Sequence, residues 1–176
     1  NGAQEPAENL IPTDEGNVVV ERVRTCEEKQ EKYPDEFRVE STVLEDSQGR
    51  KLRWPQSYSR AVKLIVVHHT ALLVRGDSRP PLERIRALYQ YHAATRDWGD
   101  IGYHYLIDEN GEIYEGRAGG DSVVGGHVYC ANVGTLGVAL LGNFELEEPT
   151  QAQIMSLQWL LRDIADRYGL DTRHSV

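Results

Sequence analysis

The chain has 176 residues, 40% of them hydrophobic, which is enough for one sizeable core and sets one domain as the starting expectation. Its net charge is −9, which argues against nucleic acid as a partner, because such binding needs a basic surface. No stretch approaches the ~20 apolar residues of a membrane span.

The charge is uneven. Residues 1–40 hold eleven acids and five bases, so the remainder is close to neutral. Residues 1–37 also carry Pro6, Pro12 and Pro34, and read as an acidic N-terminal arm or linker. Within it, Val18-Val19-Val20 can add one edge strand. Residues 38–176 read as the folded domain. Phe37 to Leu44 alternates apolar and polar residues and reads as a strand. Ser47 to Arg50 is a turn, and Lys51 to Tyr58 an approach segment.

Val62 to Val67, with Lys63 as its one charge, reads as a buried strand that ends in His68-His69-Thr70. Successive side chains on a strand point to opposite faces, so the two histidines cannot both aim at one site. At Pro81, proline suits a first helical turn, where its missing N–H would be unpaired anyway. Leu82, Ile85, Leu88, Tyr89 and His92 then share one face, predicting a helix from Pro81 to about Thr95. On that apolar face, His92 reads as a satisfied core histidine rather than a ligand.

Tyr103 to Ile107 and Glu112 to Glu115 flank Asp108-Glu109-Asn110-Gly111, a strong hairpin signal, because glycine accepts the positive φ that tight turns need. A glycine-rich loop runs to His127, and Thr135 to Leu141 is another apolar strand. Thr150-Gln151-Ala152-Gln153 is a capping box. The helix it opens buries Ile154, Leu157, Leu160, Leu161, Ile164 and Tyr168, and Gly169 is its natural stop. The order strand, helix, hairpin, strand, helix gives an α/β fold with a mixed central β-sheet flanked by α-helices.

The polar candidates for a site are His68, His69, Tyr103, His104, His127 and Asn132. Histidine with tyrosine suits metal-assisted hydrolysis: a zinc-bound water is acidic near neutral pH, and a tyrosine hydroxyl can hydrogen-bond the oxyanion that forms. No G-x-S-x-G elbow and no phosphate-binding glycine loop before a helix is present. Cys26 and Cys130 form no CxxC motif. They could pair in an oxidising compartment, but two isolated cysteines are no disulfide framework, and free thiols are the expectation.

Taken together, Val66-Val67-His68-His69-Thr70-Ala71, Trp98-Gly-Asp-Ile-Gly-Tyr103-His-Tyr-Leu-Ile-Asp108, Gly111-Glu-Ile-Tyr-Glu-Gly-Arg117, Gly126-His127 with Asn132, and Leu136-Gly-Val-Ala-Leu-Leu-Gly-Asn-Phe144 form an ordered set. That set resembles the peptidoglycan recognition proteins and type 2 N-acetylmuramoyl-L-alanine amidases, over roughly residues 53 to 173. The resemblance implies zinc-dependent hydrolysis of the amide between the lactyl group of N-acetylmuramic acid and L-alanine in peptidoglycan. His68 matches a zinc ligand and Tyr103 the catalytic tyrosine. His69, His127 and Asn132 match substrate-binding positions, with His69 beside the ligand rather than a ligand itself. Peptidoglycan or muropeptide is the implied partner, and the cell envelope or the extracellular space the implied location.

The resemblance also implies a second zinc histidine in a Gly-His-Arg-Asp type motif just after the last helix, and a cysteine ligand soon after. The chain ends at Val176, where that motif would begin, and His174 in Arg-His-Ser-Val does not fit it. The family has no ligand at the position of Cys130. The expectation is a piece of an intact amidase; the alternative is a metal-free module that binds muropeptide without cutting it.

Overall fold

The computed structural model describes residues 9–12, 18–21, 57–96 and 98–176. The chain divides into two compact units, Asn1–Gln30 and Glu31–Val176. In the first, β1 (Asn9–Pro12) and β2 (Val18–Glu21) pair antiparallel, with Asn9 opposite Glu21. The strand expected at Val18–Val20 is therefore present, in a two-stranded sheet with β1. The strand expected at 37–44 and the turn after it lie outside the described residues.

In the second unit, β3 (Leu64–His69), β4 (Tyr105–Ile107), β5 (Ile113–Glu115) and β6 (Thr135–Leu140) form one sheet in the order β3-β6-β4-β5. β6 runs parallel to both β3 and β4, and β5 is antiparallel to β4. The sheet is thus mixed, as the element order implies. α1 (Pro81–Gln90) has proline at its start and passes into a π-helical turn at Tyr91–Thr95. The Asp108–Gly111 turn closes with the Gly111 N–H donating to the Asp108 carbonyl, and Gly111 has φ 85°, a conformation that glycine adopts without steric cost.

Alternation along the strands separates two apolar clusters. Ile65, Ile107, Leu136, Val138 and Leu140 pack with Leu160 and Ile164 of α2 (Gln151–Tyr168). On the opposite face, Leu106 packs with Ile85 and Leu88 of α1, with Ile101 and with Leu141. At roughly 1.5–3 kcal/mol for each large apolar side chain fully buried, these two clusters are the main support of the sheet.

α2 begins with the expected capping box. Thr150 Oγ1 accepts from the Gln153 N–H, and Gln153 Oε1 accepts from the Thr150 N–H. Gln153 is also fully buried, and its Nε2 donates to the carbonyls of Ile107 and Leu141 at the ends of β4 and β6. Gly169 ends the helix at φ 64°.

Candidate functional site

His68 lies near the end of β3, on the face opposite Ile65. That face is the one α1 covers. Across from it in β6 stand Gly137 and Ala139, the residues with the smallest side chains in the sheet. His127 fills the space. A Cβ built on Gly137 would lie 2.5 Å from Cγ of the His127 ring, so the imidazole rests directly on the strand backbone. His68 Nε2 is 3.0 Å from His127 Nδ1, with ring centroids 5.1 Å apart. Tyr103, just before β4, brings its ring 5.5 Å from that of His68. The structure thus joins His68, Tyr103 and His127 in one half-buried cluster.

The proton arrangement follows from the outermost partner. Thr135 Oγ1 donates to the Ala131 carbonyl at 2.8 Å, leaving its lone pairs for His127 Nε2 at 3.4 Å. With its proton on Nε2, His127 accepts at Nδ1, so His68 donates from Nε2 and keeps the lone pair of its Nδ1. Burial disfavours the charged form of both rings: His68 is lowered by desolvation and then by His69, and His127 falls to about 3 through desolvation, His104 and His68. Burial also raises the Tyr103 phenol, which therefore stays a protonated donor throughout the neutral range.

His69 is not brought into this cluster. Its ring faces Phe144, and its Nδ1 accepts from the Phe144 N–H at 2.9 Å. Strand alternation turns it to the other face from His68, beside Phe144. Asn132 stands close to His127, but its side-chain oxygen is committed to the backbone. Oδ1 accepts from the N–H groups of both His127 and Val128. It shapes the loop that carries His127.

Sequence reasoning missed a second row of rings. His92 lies 5.7 Å from Tyr103 and 4.7 Å from Trp98. As expected it is buried and satisfied, with Nδ1 accepting from the Gly102 N–H. It nonetheless backs the ring of Tyr103, and the helical face that carried it was the available signal. His104 is buried with both nitrogens engaged, Nδ1 by the Gly137 N–H and Nε2 by the Val123 carbonyl.

Cys130 is disulfide-bonded, which corrects the expectation of free thiols and removes it as a thiolate donor. His174 is exposed in the turn after α2. Among the described residues, no three His, Cys, Asp or Glu side chains come together to hold a metal. A catalytic zinc takes three protein ligands. The Nδ1 of His68 therefore fits one corner of a zinc site, and the described residues do not close it.

Comparisons with known proteins identify the family. The family profile Amidase_2, N-acetylmuramoyl-L-alanine amidase, matches residues 58–176. Peptidoglycan-recognition protein SC2 of Drosophila melanogaster is 32% identical over 128 residues, covering 72% of this chain and 68% of that protein. A human N-acetylmuramoyl-L-alanine amidase is 33% identical over 118 residues, 66% of this chain but 20% of that protein, so the chain spans a fifth of the human relative's length. The amidase LysC of Clostridium intestinale superposes with a TM-score of 0.56 at 34% identity, covering 66% of this chain and 70% of that one. The ectodomain complex of peptidoglycan recognition proteins LCa and LCx, solved with tracheal cytotoxin bound, gives 0.60 at 28% identity, covering 70% of this chain and 74% of that one. With a family profile spanning most of its length, the chain belongs to the N-acetylmuramoyl-L-alanine amidase family, which includes the peptidoglycan recognition proteins.

Proposed function

We infer that residues 38–176 act on peptidoglycan, cutting the amide between the lactyl group of N-acetylmuramic acid and L-alanine, and that residues 1–37 are an acidic arm. The observation that carries this reading is the half-buried cluster of His68, Tyr103 and His127 on one face of the sheet. His68 offers the free Nδ1 as a zinc ligand. When bound, zinc supplies a water acidic enough to give hydroxide near neutral pH. His68 alone does not make that site.

The chain's own groups have clear tasks. Tyr103, protonated and half-buried, donates a hydrogen bond to the oxygen that gains charge as the amide is attacked. His127 fixes the tautomer of His68 and walls the groove. Asn132 holds the His127 loop in place through the backbone. The disulfide at Cys130 fits an oxidising compartment, in keeping with an extracellular or cell-envelope location.

A second reading, muropeptide recognition without cleavage, is supported by the peptidoglycan recognition proteins among the relatives, two of which were solved as a complex with tracheal cytotoxin bound. The two part in a single experiment on the full protein. A muramoyl-tripeptide is incubated with and without added zinc, before and after chelation, and binding is followed in parallel. Zinc-dependent release of the free peptide, lost in His68→Ala, supports hydrolysis. Binding with no cleavage at any zinc level supports recognition, and cleavage indifferent to chelation overturns the zinc assignment.

A further inference from the structure

Among the described residues, the most exposed large apolar side chain is Tyr129, at 79%. It stands two residues past His127, and two residues of chain span at most about 7 Å, so it is mounted on the rim of the histidine cluster. A lone exposed aromatic on a protein surface is ordinary. The backbone beneath this one is not. Val128 to Ala131 form a tight turn, with the Ala131 N–H donating to the Val128 carbonyl at 3.2 Å. Tyr129 is its second residue and Cys130 its third. Cys130 has φ 62° while Tyr129 keeps a negative φ, the pattern of a type II turn. That third position favours glycine, and a cysteine there is strained.

The turn is held in this conformation from several sides. Cys130 is disulfide-bonded, Asn132 Oδ1 accepts from the N–H groups of His127 and Val128, and Thr135 Oγ1 donates to the Ala131 carbonyl. Strained residues that the fold over-determines gather at ligand-binding sites. A backbone fixed in advance also reduces the ordering that binding requires.

The chemistry of the turn selects the ligand. Val128 to Gly134 carry no charged side chain, so a charged stem-peptide terminus finds no opposite charge there. A tyrosine ring offers an apolar face and a hydroxyl at its edge. A pyranose matches both, being neutral, with C–H bonds on its faces and hydroxyls around its rim. In the amide assigned to this site, the lactyl ether puts such a ring three bonds from the carbonyl carbon under attack. The sugar is thereby confined to the mouth of the His68, Tyr103 and His127 cluster. We propose that Tyr129 is the platform for the muramic acid ring of the substrate, stacking on the sugar while the histidine cluster takes the amide. The proposal rests on the peptidoglycan reading above and adds to it the residue that reads the saccharide.

The test is calorimetric binding to the full chain in the presence of a zinc chelator, so that the ligand stays whole. Two ligands are compared: N-acetylmuramoyl-tripeptide, and the same tripeptide carrying only a D-lactoyl group, which keeps the amide and lacks the sugar. The wild type should bind the muramoyl ligand about tenfold more tightly, as expected for one aromatic stacking contact. Tyr129→Ala should weaken the muramoyl ligand about tenfold and leave the lactoyl ligand as it was. Tyr129→Phe, which keeps the ring, should restore most of the difference. Because Tyr129 is exposed, both variants should fold, and unchanged His127 ring resonances check that the loop keeps its shape. Unaltered muramoyl affinity in Tyr129→Ala overturns the proposal, and so does an equal loss for both ligands. A wild type that binds the two ligands equally overturns it as well. A folded wild type that binds neither overturns the peptidoglycan reading itself, and the proposal with it.

Discussion

The ring of His127 lies on Gly137: a Cβ at position 137 would sit 2.5 Å from its Cγ and 2.6 Å from its Cδ2. Nothing in β6 itself requires glycine here, since the residue sits in regular parallel pairing with Val66. The missing side chain serves the imidazole. Gly137→Ala should expel the ring, break its contact with His68, and cost about 1–3 kcal/mol, as overpacking does. Urea unfolding measures the cost. Histidine ring NMR should show the His68–His127 coupling lost while the sheet remains.

Under the proposed hydrolysis, Tyr103 is the residue that separates binding from chemistry. Its phenol is kept protonated by burial, and its ring is held between His68 and His92. Tyr103→Phe keeps the ring and removes only the donor. Cleavage should fall about 100-fold or more, the usual loss of one oxyanion donor, with muropeptide affinity nearly unchanged. An equal fall in both would show that the hydroxyl binds substrate rather than stabilising the oxyanion.

Acid should destabilise the fold through its buried histidines. His92 is lowered from 6.5 to about 4 by desolvation, then by Arg117 and Arg96; His127 is lowered to about 3. Unfolded, each titrates near 6.5, so between that value and the folded one the unfolded chain binds more protons. The stabilisation is complete above pH 6.5 and is lost as pH falls toward 4 and then 3. Urea midpoints should drop steeply across that window, and His92→Phe should flatten the part of the slope between about 6.5 and 4.

Asp121 ties the end of α2 to the glycine-rich loop. Its buried carboxylate accepts from the hydroxyls of Tyr105 and Tyr168 and pairs with Arg167. Asp121→Asn should cost about 1.5–3 kcal/mol, the range for a hydrogen bond to a charged group. It should also lower the Tyr105 phenol, which burial and then the Asp121 hydrogen bond push to about 12. Ultraviolet titration of tyrosine reads the shift directly.

How much of this was legible in the sequence depended on range. β3, α1, the hairpin, β6 and α2 all announce themselves through local periodicity or turn chemistry. The strand expected from Val62 begins at Leu64, because Lys63 and Leu64 both donate to the single Gly134 carbonyl before regular pairing sets in. The π-helical widening at Tyr91–Thr95 has no local signature, since each residue there suits an ordinary helix. The strand order, with β6 inserted between β3 and β4, is set by pairing far apart in sequence. The site divides in the same way. Alternation along β3 separated His68 from His69, but nothing local shows that Asn132 spends its oxygen on two backbone amides, or that Cys130 is oxidised.

The buried amide of Gln153 has a consequence for how the domain comes apart. One side chain closes the first turn of α2 with its oxygen and grips the ends of β4 and β6 with its nitrogen. Opening the helix start strands that nitrogen away from water, and parting the strands strands the same group. Helix and sheet therefore have no inexpensive way to separate at this end. The amides of the first turn of α2 and the last residues of β6 belong to a single cooperative opening unit, and hydrogen exchange should release them together.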